Sequence, residues 1–251
     1  MIKSDGSYTY FASDVAYHME KFDRGFDRVI DVWGADHHGY IPRMKAMLAG
    51  LGHPPEDLEV LLIQMVNLLR DGQPFVMGKR SGNFITLREV IDEVGSDACR
   101  FFFLMRRCDS QLDFDLELAK QQNSENPVYY VQYAHARVCS INRNAQEAGI
   151  QLPSVSTVDL GRLELGEELA LAKHLARYPE VINSAALSYE PHRVIFYLQE
   201  LAAQFHSYYN RHRVLIDDVE ITNARLYLAN AVRTVLANAL RMLGMSAPEQ
   251  M

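Results

Sequence analysis

The sequence has no run of about 18 uncharged apolar residues, the length that spans a bilayer. Its opening residues, MIKSDGSYTYF, hold no apolar core of the kind that directs secretion. A membrane helix and a secretion signal drop out of the reading, and a cytoplasmic location is the expectation. Cysteine is scarce: Cys99, Cys108 and Cys139 are odd in number and widely spaced, which suits neither a disulfide framework nor a zinc knuckle. They read as reduced, mostly buried thiols. A cationic excess is missing too. The formal net charge is −7, with 14 Lys and Arg against 20 Asp and Glu up to residue 125, and 11 against 12 beyond it. Neither half can bind polyanions through a broad field.

What is present points to a globular protein. At 251 residues and 48% hydrophobic, the chain can bury the core of one large domain or two smaller ones. Ten of the eleven cations after residue 125 are Arg, whose planar fork suits phosphates and base edges. Any nucleic-acid contact there must be a local, shaped patch.

The architecture changes near residue 125. Before it, FDRVIDVWG reads as a buried strand, DHHGYIPRMKAMLAGLG as a helix closed by Gly52, and LEVLLIQMVNLL as a further extended segment. Asp71 and Gly72 stand between two apolar runs, the local mark of a β-hairpin turn. Thr86 and Glu89 have capping-box spacing for a new helix. After residue 125 strand signals almost vanish. Asn126 and Pro127 occupy the Ncap and N1 places of a long helical pattern that ends at Gly149. Further patterns run over about 163–176, 179–188, 191–213 and 221–243, as in a helical bundle. The expected domains are 1–125, α/β, and 126–251, all-α.

One loop, PFVMGKRSGNFITL over residues 74–87, sets Lys79 and Arg80 among Gly78, Ser81, Gly82 and Asn83. Two cations beside two glycines suit the holding of phosphate oxygens, and a solvated surface turn is the plainer reading.

Four segments carry a resemblance: SDGSYTYFASDVAYH, WGADHHGYIPR, DFDLELAKQQNSENPVYYVQYAHAR, and the terminal RLYLANAVRTVLANALRMLGMSAPEQM. Together they resemble the carboxy-terminal part of bacterial-type arginyl-tRNA synthetases, class I aminoacyl-tRNA synthetases. The resemblance implies the second half of a Rossmann-like catalytic domain followed by an α-helical anticodon-binding bundle. It also implies arginine, ATP with Mg2+, and tRNA(Arg) as substrates, and a monomeric parent enzyme.

Site residues follow by position. VMGKRSGN resembles the KMSKS signature, with Val76, Gly78 and Arg80 in place of its first Lys and two Ser, and Lys79 in the catalytic lysine's place. Such a lysine stabilises charge on departing pyrophosphate. Met77 and Arg80 join it against ATP. Tyr10 and Asp14, four apart on a helix, take the place of the pair that holds the substrate guanidinium, a cation that a fixed carboxylate recognises bidentately. In GADHHG, Gly34 permits close backbone approach, Asp36 could accept from ribose hydroxyls, and either His37 or His38 would contact the arginine amino group or the adenylate. Adjacent histidines diverge, so no protein-bound metal is expected.

In the helical half, Tyr129, Tyr130, Tyr133 and Arg137 form one candidate RNA patch, and Tyr208, Tyr209, Arg211 and Arg213 another; core tyrosines with tethered hydroxyls are the alternative. The resemblance places Tyr209 and Met251 near the anticodon loop. No counterpart of the family's HIGH motif is present. The expectation is a fragment of an arginine–tRNA ligase that is inactive alone. A stand-alone tRNA-binding or assembly module without catalysis is the other reading.

Overall fold

Thr9 accepts a hydrogen bond from the Ala12 amide and so caps α1 (Tyr10–Asp23) in the computed structural model, which describes residues 2–75, 85–152 and 154–251. Contacts divide the chain into two compact units, one reaching to Val66 and including Cys108–Leu112, the other made of Asn67–Arg107 and Asp113–Met251.

In the first unit, α1 leads to β1 (Val29–Gly34), where burial alternates: Val29 and Asp31 point inward while Ile30 and Val32 are exposed. A 3-10 segment, Ala35–Tyr40, precedes α2 (Ile41–Gly50), which has Pro42 in its first turn. The helix expected from residue 36 therefore starts later, and the GADHHG residues lie in a tighter turn ahead of it. Gly52, at φ 87°, closes the segment. The chain then enters β2 (Leu58–Ile63), parallel to β1 with Val29 opposite Leu58 and Gly34 opposite Ile63. Val29, Met44, Met47, Leu48 and Leu58 form the core, against which Phe11, Val15 and Phe22 of α1 and Trp33 of β1 pack.

The apolar run expected to continue as one extended segment is broken. Gln64 turns its amide to the Cys108 carbonyl at 2.9 Å, Met65 is exposed, and β3 (Val66–Arg70) belongs to a different sheet. There β3 lies between β4 (Gln73–Pro74) and β5 (Leu112–Asp115). The turn between β3 and β4 places Asp71 at φ 52° and Gly72 at φ 71°, the left-handed pair that a two-residue hairpin requires. Asp115 fastens it by accepting the Gly72 amide at 2.8 Å.

Thr86 and Glu89 form the expected capping box on α3 (Leu87–Val94). Two short helices follow, α4 (Ser96–Leu104) and α5 (Leu116–Lys120), the second after β5. Asn126 caps α6 (Pro127–Glu147), and its amide nitrogen donates to the Ala119 and Gln121 carbonyls at 2.9 and 2.8 Å, tying the helix start to the end of α5. The four later helical patterns are α7 (Gly166–Ala176), α8 (Tyr178–Ser188), α9 (His192–Arg211) and α10 (Val219–Met242). Val131, Val138, Leu171, Leu198, Phe205, Leu226, Val232 and Leu240 fill the interior among them. No described helix is long and apolar enough to cross a membrane.

Candidate functional site

A cavity of about 430 Å³ opens at the carboxyl end of β1, where open α/β sheets hold ligands. Asp14, His18 and Lys21 line it from α1; they stand at i, i+4 and i+7 and so form one stripe. Asp31, Trp33 and Gly34 line it from β1, and His37 and Tyr40 from the segment that follows.

A buried charge cluster lies in this wall. Asp31 is 8% exposed, yet its carboxylate accepts from His18 Nε2 at 2.7 Å and Lys21 Nζ at 2.9 Å. The other ring nitrogen of His18, Nδ1, lies 2.8 Å from the Asp14 carbonyl. A carbonyl and a carboxylate both only accept, so the ring carries both protons and is an imidazolium. The hydrogen bond to Asp31 accordingly raises the His18 pKa, against burial. For Asp31, burial pushes upward, but the His18 and Lys21 hydrogen bonds outweigh it and leave the pKa lowered. Two cations therefore satisfy Asp31. Asp14 differs: Tyr40 donates its hydroxyl to Oδ2 at 3.0 Å, and among the described residues no cation pairs with this carboxylate. Burial and then the Asp14 hydrogen bond raise the Tyr40 pKa, keeping the phenol a donor.

The sequence-predicted residues divide. Asp14, Gly34 and His37 reach the cavity; His38 is not in its wall. Tyr10, in the first turn of α1, is 90% exposed and stands apart from the lining, with Lys3 Nζ 5.9 Å from its ring. The close approach at Gly34 is made by the protein itself, because a Cβ there would lie 2.6 Å from Asp36 Oδ1. Asp36 is exposed beside His37, with 3.7 Å between carboxylate and Nε2. Met77, Lys79 and Arg80 lie outside the described residues. His18, Lys21, Asp31 and Tyr40 were missed. A carboxylate at an inward position of VIDVWG and the 14, 18, 21 spacing were the available signals.

In the helical unit one member of the second expected patch, Tyr209, joins the first. The Arg137 guanidinium of α6 lies 4.7 Å from the Tyr133 ring centroid and 4.6 Å from that of Tyr209 on α9, a cation held between two aromatic faces. Arg137 also donates to the Tyr133 hydroxyl at 2.9 Å. Tyr129 stacks on Tyr133 with centroids 6.0 Å apart. Burial lowers the pKa of the adjacent His206, which meets the Tyr130 carbonyl through Nε2 at 3.1 Å and faces Tyr130 and Tyr133. Arg213 lines a neighbouring cavity of about 410 Å³ with Tyr209 and Asn210. Arg211 is exposed and pairs with Glu167 at 3.2 Å; Met251 is 47% exposed. Tyr208 is core, its hydroxyl donating to the buried Glu168 at 3.1 Å, because α9 turns each residue by about 100° from the one before and so carries Tyr208 inward from Tyr209. Among the described residues no group of three His, Cys, Asp or Glu could hold a metal ion.

Known proteins share this organisation. Residues 1–111 match the family described as tRNA synthetases class I (R), catalytic domain, and residues 131–251 match the DALR anticodon binding domain. An arginine–tRNA ligase of Syntrophotalea carbinolica is 70% identical over 100% of this chain and 45% of its own length. One from Citrifermentans bemidjiense is 58% identical over 100% and 45%. Among solved structures, a Campylobacter jejuni protein provisionally described as an arginyl-tRNA synthetase superposes with a TM-score of 0.89 at 40% identity, covering 100% of this chain and 54% of that one. The arginyl-tRNA synthetase of Thermus thermophilus gives 0.79 at 25% identity, covering 100% and 50%. The chain thus spans about 45% of the length of the curated relatives it matches. With part of a class I catalytic domain followed by a helical anticodon-binding domain, the chain belongs to the arginyl-tRNA synthetase family and corresponds to the carboxy-terminal portion of its members.

Proposed function

We propose that the chain serves as the carboxy-terminal part of an arginine–tRNA ligase, which activates arginine with ATP, taken as its Mg2+ complex, and passes it to tRNA(Arg). The observation that carries this reading is the state of Asp14. Asp31 is already satisfied by two cations, whereas Asp14 faces the cavity without one, fixed by Tyr40 on one oxygen. A guanidinium can take the remaining acceptor positions as a fork. An ammonium cannot fill them in the same way. Tyr10, although outside the cavity wall, would join Asp14 in holding arginine, Gly34, Asp36 and Met77 would border the nucleotide, and His37, which lines the cavity, is favoured over His38 for the arginine amino group or the adenylate.

In the activation step the arginine carboxylate attacks the α-phosphorus of ATP and pyrophosphate leaves. Lys79, with Arg80, neutralises the charge that gathers on the departing oxygens. The Tyr129, Tyr133, Arg137 and Tyr209 cluster, with Arg211, Arg213 and Met251, would hold the anticodon loop by stacking and by a few cationic contacts. The functional division at residue 125, a cytoplasmic location and a monomeric parent complete the proposal. The phosphate-binding HIGH segment has no counterpart here, so the chain alone is inactive.

Arginine-dependent ATP–pyrophosphate exchange tests this. The pure chain should stay at background, and a polypeptide joining it to the amino-terminal portion of a close relative should exchange. Robust exchange by the pure chain would overturn its inactivity, and failure of the joined protein to exchange with arginine would overturn the ligase reading.

A further inference from the structure

Two polar side chains, Gln132 and His135, are buried on one face of α6, at 8% and 3% exposure. Buried polar groups need partners, and both find them in the terminal segment. The helix α10 ends in a turn at Gly244, φ 75°, where the Gly244 amide meets the Arg241 carbonyl at 3.0 Å and the Met245 amide meets that of Leu240 at 2.9 Å. The chain is thereby thrown back along α6. Gln132 Nε2 donates to the Ser246 carbonyl at 3.0 Å and to Asp97 of α4 at 2.7 Å. Ser246 in turn donates its amide, at 3.1 Å, and its hydroxyl to the same Asp97 oxygen. His135 Nδ1 then donates to the Pro248 carbonyl at 2.9 Å, and Arg143 Nη1 to that of Glu249 at 3.2 Å.

This strap contributes little burial of its own. Met245 is core, but no later residue is buried, and the backbone is held by side chains rather than by a helix or strand. Hydrogen bonds to successive carbonyls without apolar burial fix a path more than they add stability. The path has a result: Glu249 and Gln250 form one wall of a cavity of about 750 Å³ whose other walls include Arg143 and Arg233.

We propose that Gln132, His135 and Asp97 are positioning residues for RNA recognition, setting the strap and with it the place of Met251 and the wall beside Arg143 and Arg233. The proposal rests on the reading of the helical half as an anticodon binder.

The test uses the whole chain and two readouts: release of terminal residues by carboxypeptidase, and affinity for a tRNA(Arg) anticodon stem-loop by fluorescence anisotropy. His135→Ala should speed release and weaken binding, each about three- to tenfold, the scale of one lost hydrogen bond. His135→Asn, whose amide nitrogen takes the place of Nδ1, should restore both. Unchanged release in His135→Ala, faster release with unchanged affinity, or no rescue by His135→Asn overturns the proposal alone. Absence of stem-loop binding by the unaltered chain overturns the anticodon reading and the proposal with it.

Discussion

Replacing Asp31 by Asn keeps the shape of the buried cluster and removes its negative charge. In the unaltered protein the carboxylate takes two charge-assisted hydrogen bonds, at 2.7 Å from His18 and 2.9 Å from Lys21. Each contributes about 1.5–3 kcal/mol, against about 1 for a neutral bond. After substitution His18 can lose its Nε2 proton and accept from the Asn amide, so one bond survives in neutral form. Lys21, at the edge of the cluster, can turn to water. The expected loss is therefore about 2–5 kcal/mol. Trp33, the single tryptophan, packs against the core of the first unit, so its fluorescence in urea follows that unit by itself. The pH dependence gives a second check. Folding raises the His18 pKa, so the native state binds the proton more tightly and the associated stability is fully present below the unfolded value of about 6.5. It is lost as pH rises through the folded value. Asp31→Asn should abolish this decline. A variant that unfolds at the same urea concentration and keeps the alkaline decline would refute the imidazolium–carboxylate pair.

Three further outcomes are expected. Tyr209→Ala should weaken binding to the anticodon stem-loop by about 1–3 kcal/mol with little change in thermal melting, since the ring covers Arg137 from a half-buried position; unfolding of the bundle instead would mark the ring as core. Glu168→Gln should cost about 3 kcal/mol in urea unfolding followed by circular dichroism, because Arg225, bonded to this 1% exposed carboxylate at 2.8 Å, loses its counter-charge. A cost below about 1 kcal/mol would show that the pair is not held as a charge pair. In a ligase that includes this chain, Lys79→Ala should slow arginine activation by roughly a hundredfold or more while leaving arginine affinity nearly unchanged. Weakened arginine binding with near-normal turnover would contradict the assignment of that loop.

Signals that act within a few residues were legible in the sequence. The Asp71–Gly72 turn, the Thr86–Glu89 box, the Asn126–Pro127 start of α6 and the helical periodicity after residue 125 all act through bonds to near neighbours, and each appears where the residues place it. Family membership was legible too, because it is carried by strings of residue types. Tertiary structure alone decided the break after Ile63, the exclusion of Tyr10 from the cavity wall, and the choice of His37 over His38 as a lining residue. It also joined His18 and Lys21 to Asp31, set Arg137 between rings 76 residues apart in sequence, Tyr133 and Tyr209, and laid the terminal segment along α6. A local pattern sets which face a residue takes on its own helix or strand, but what that face meets depends on how distant elements pack, and no spacing along the chain encodes that distance.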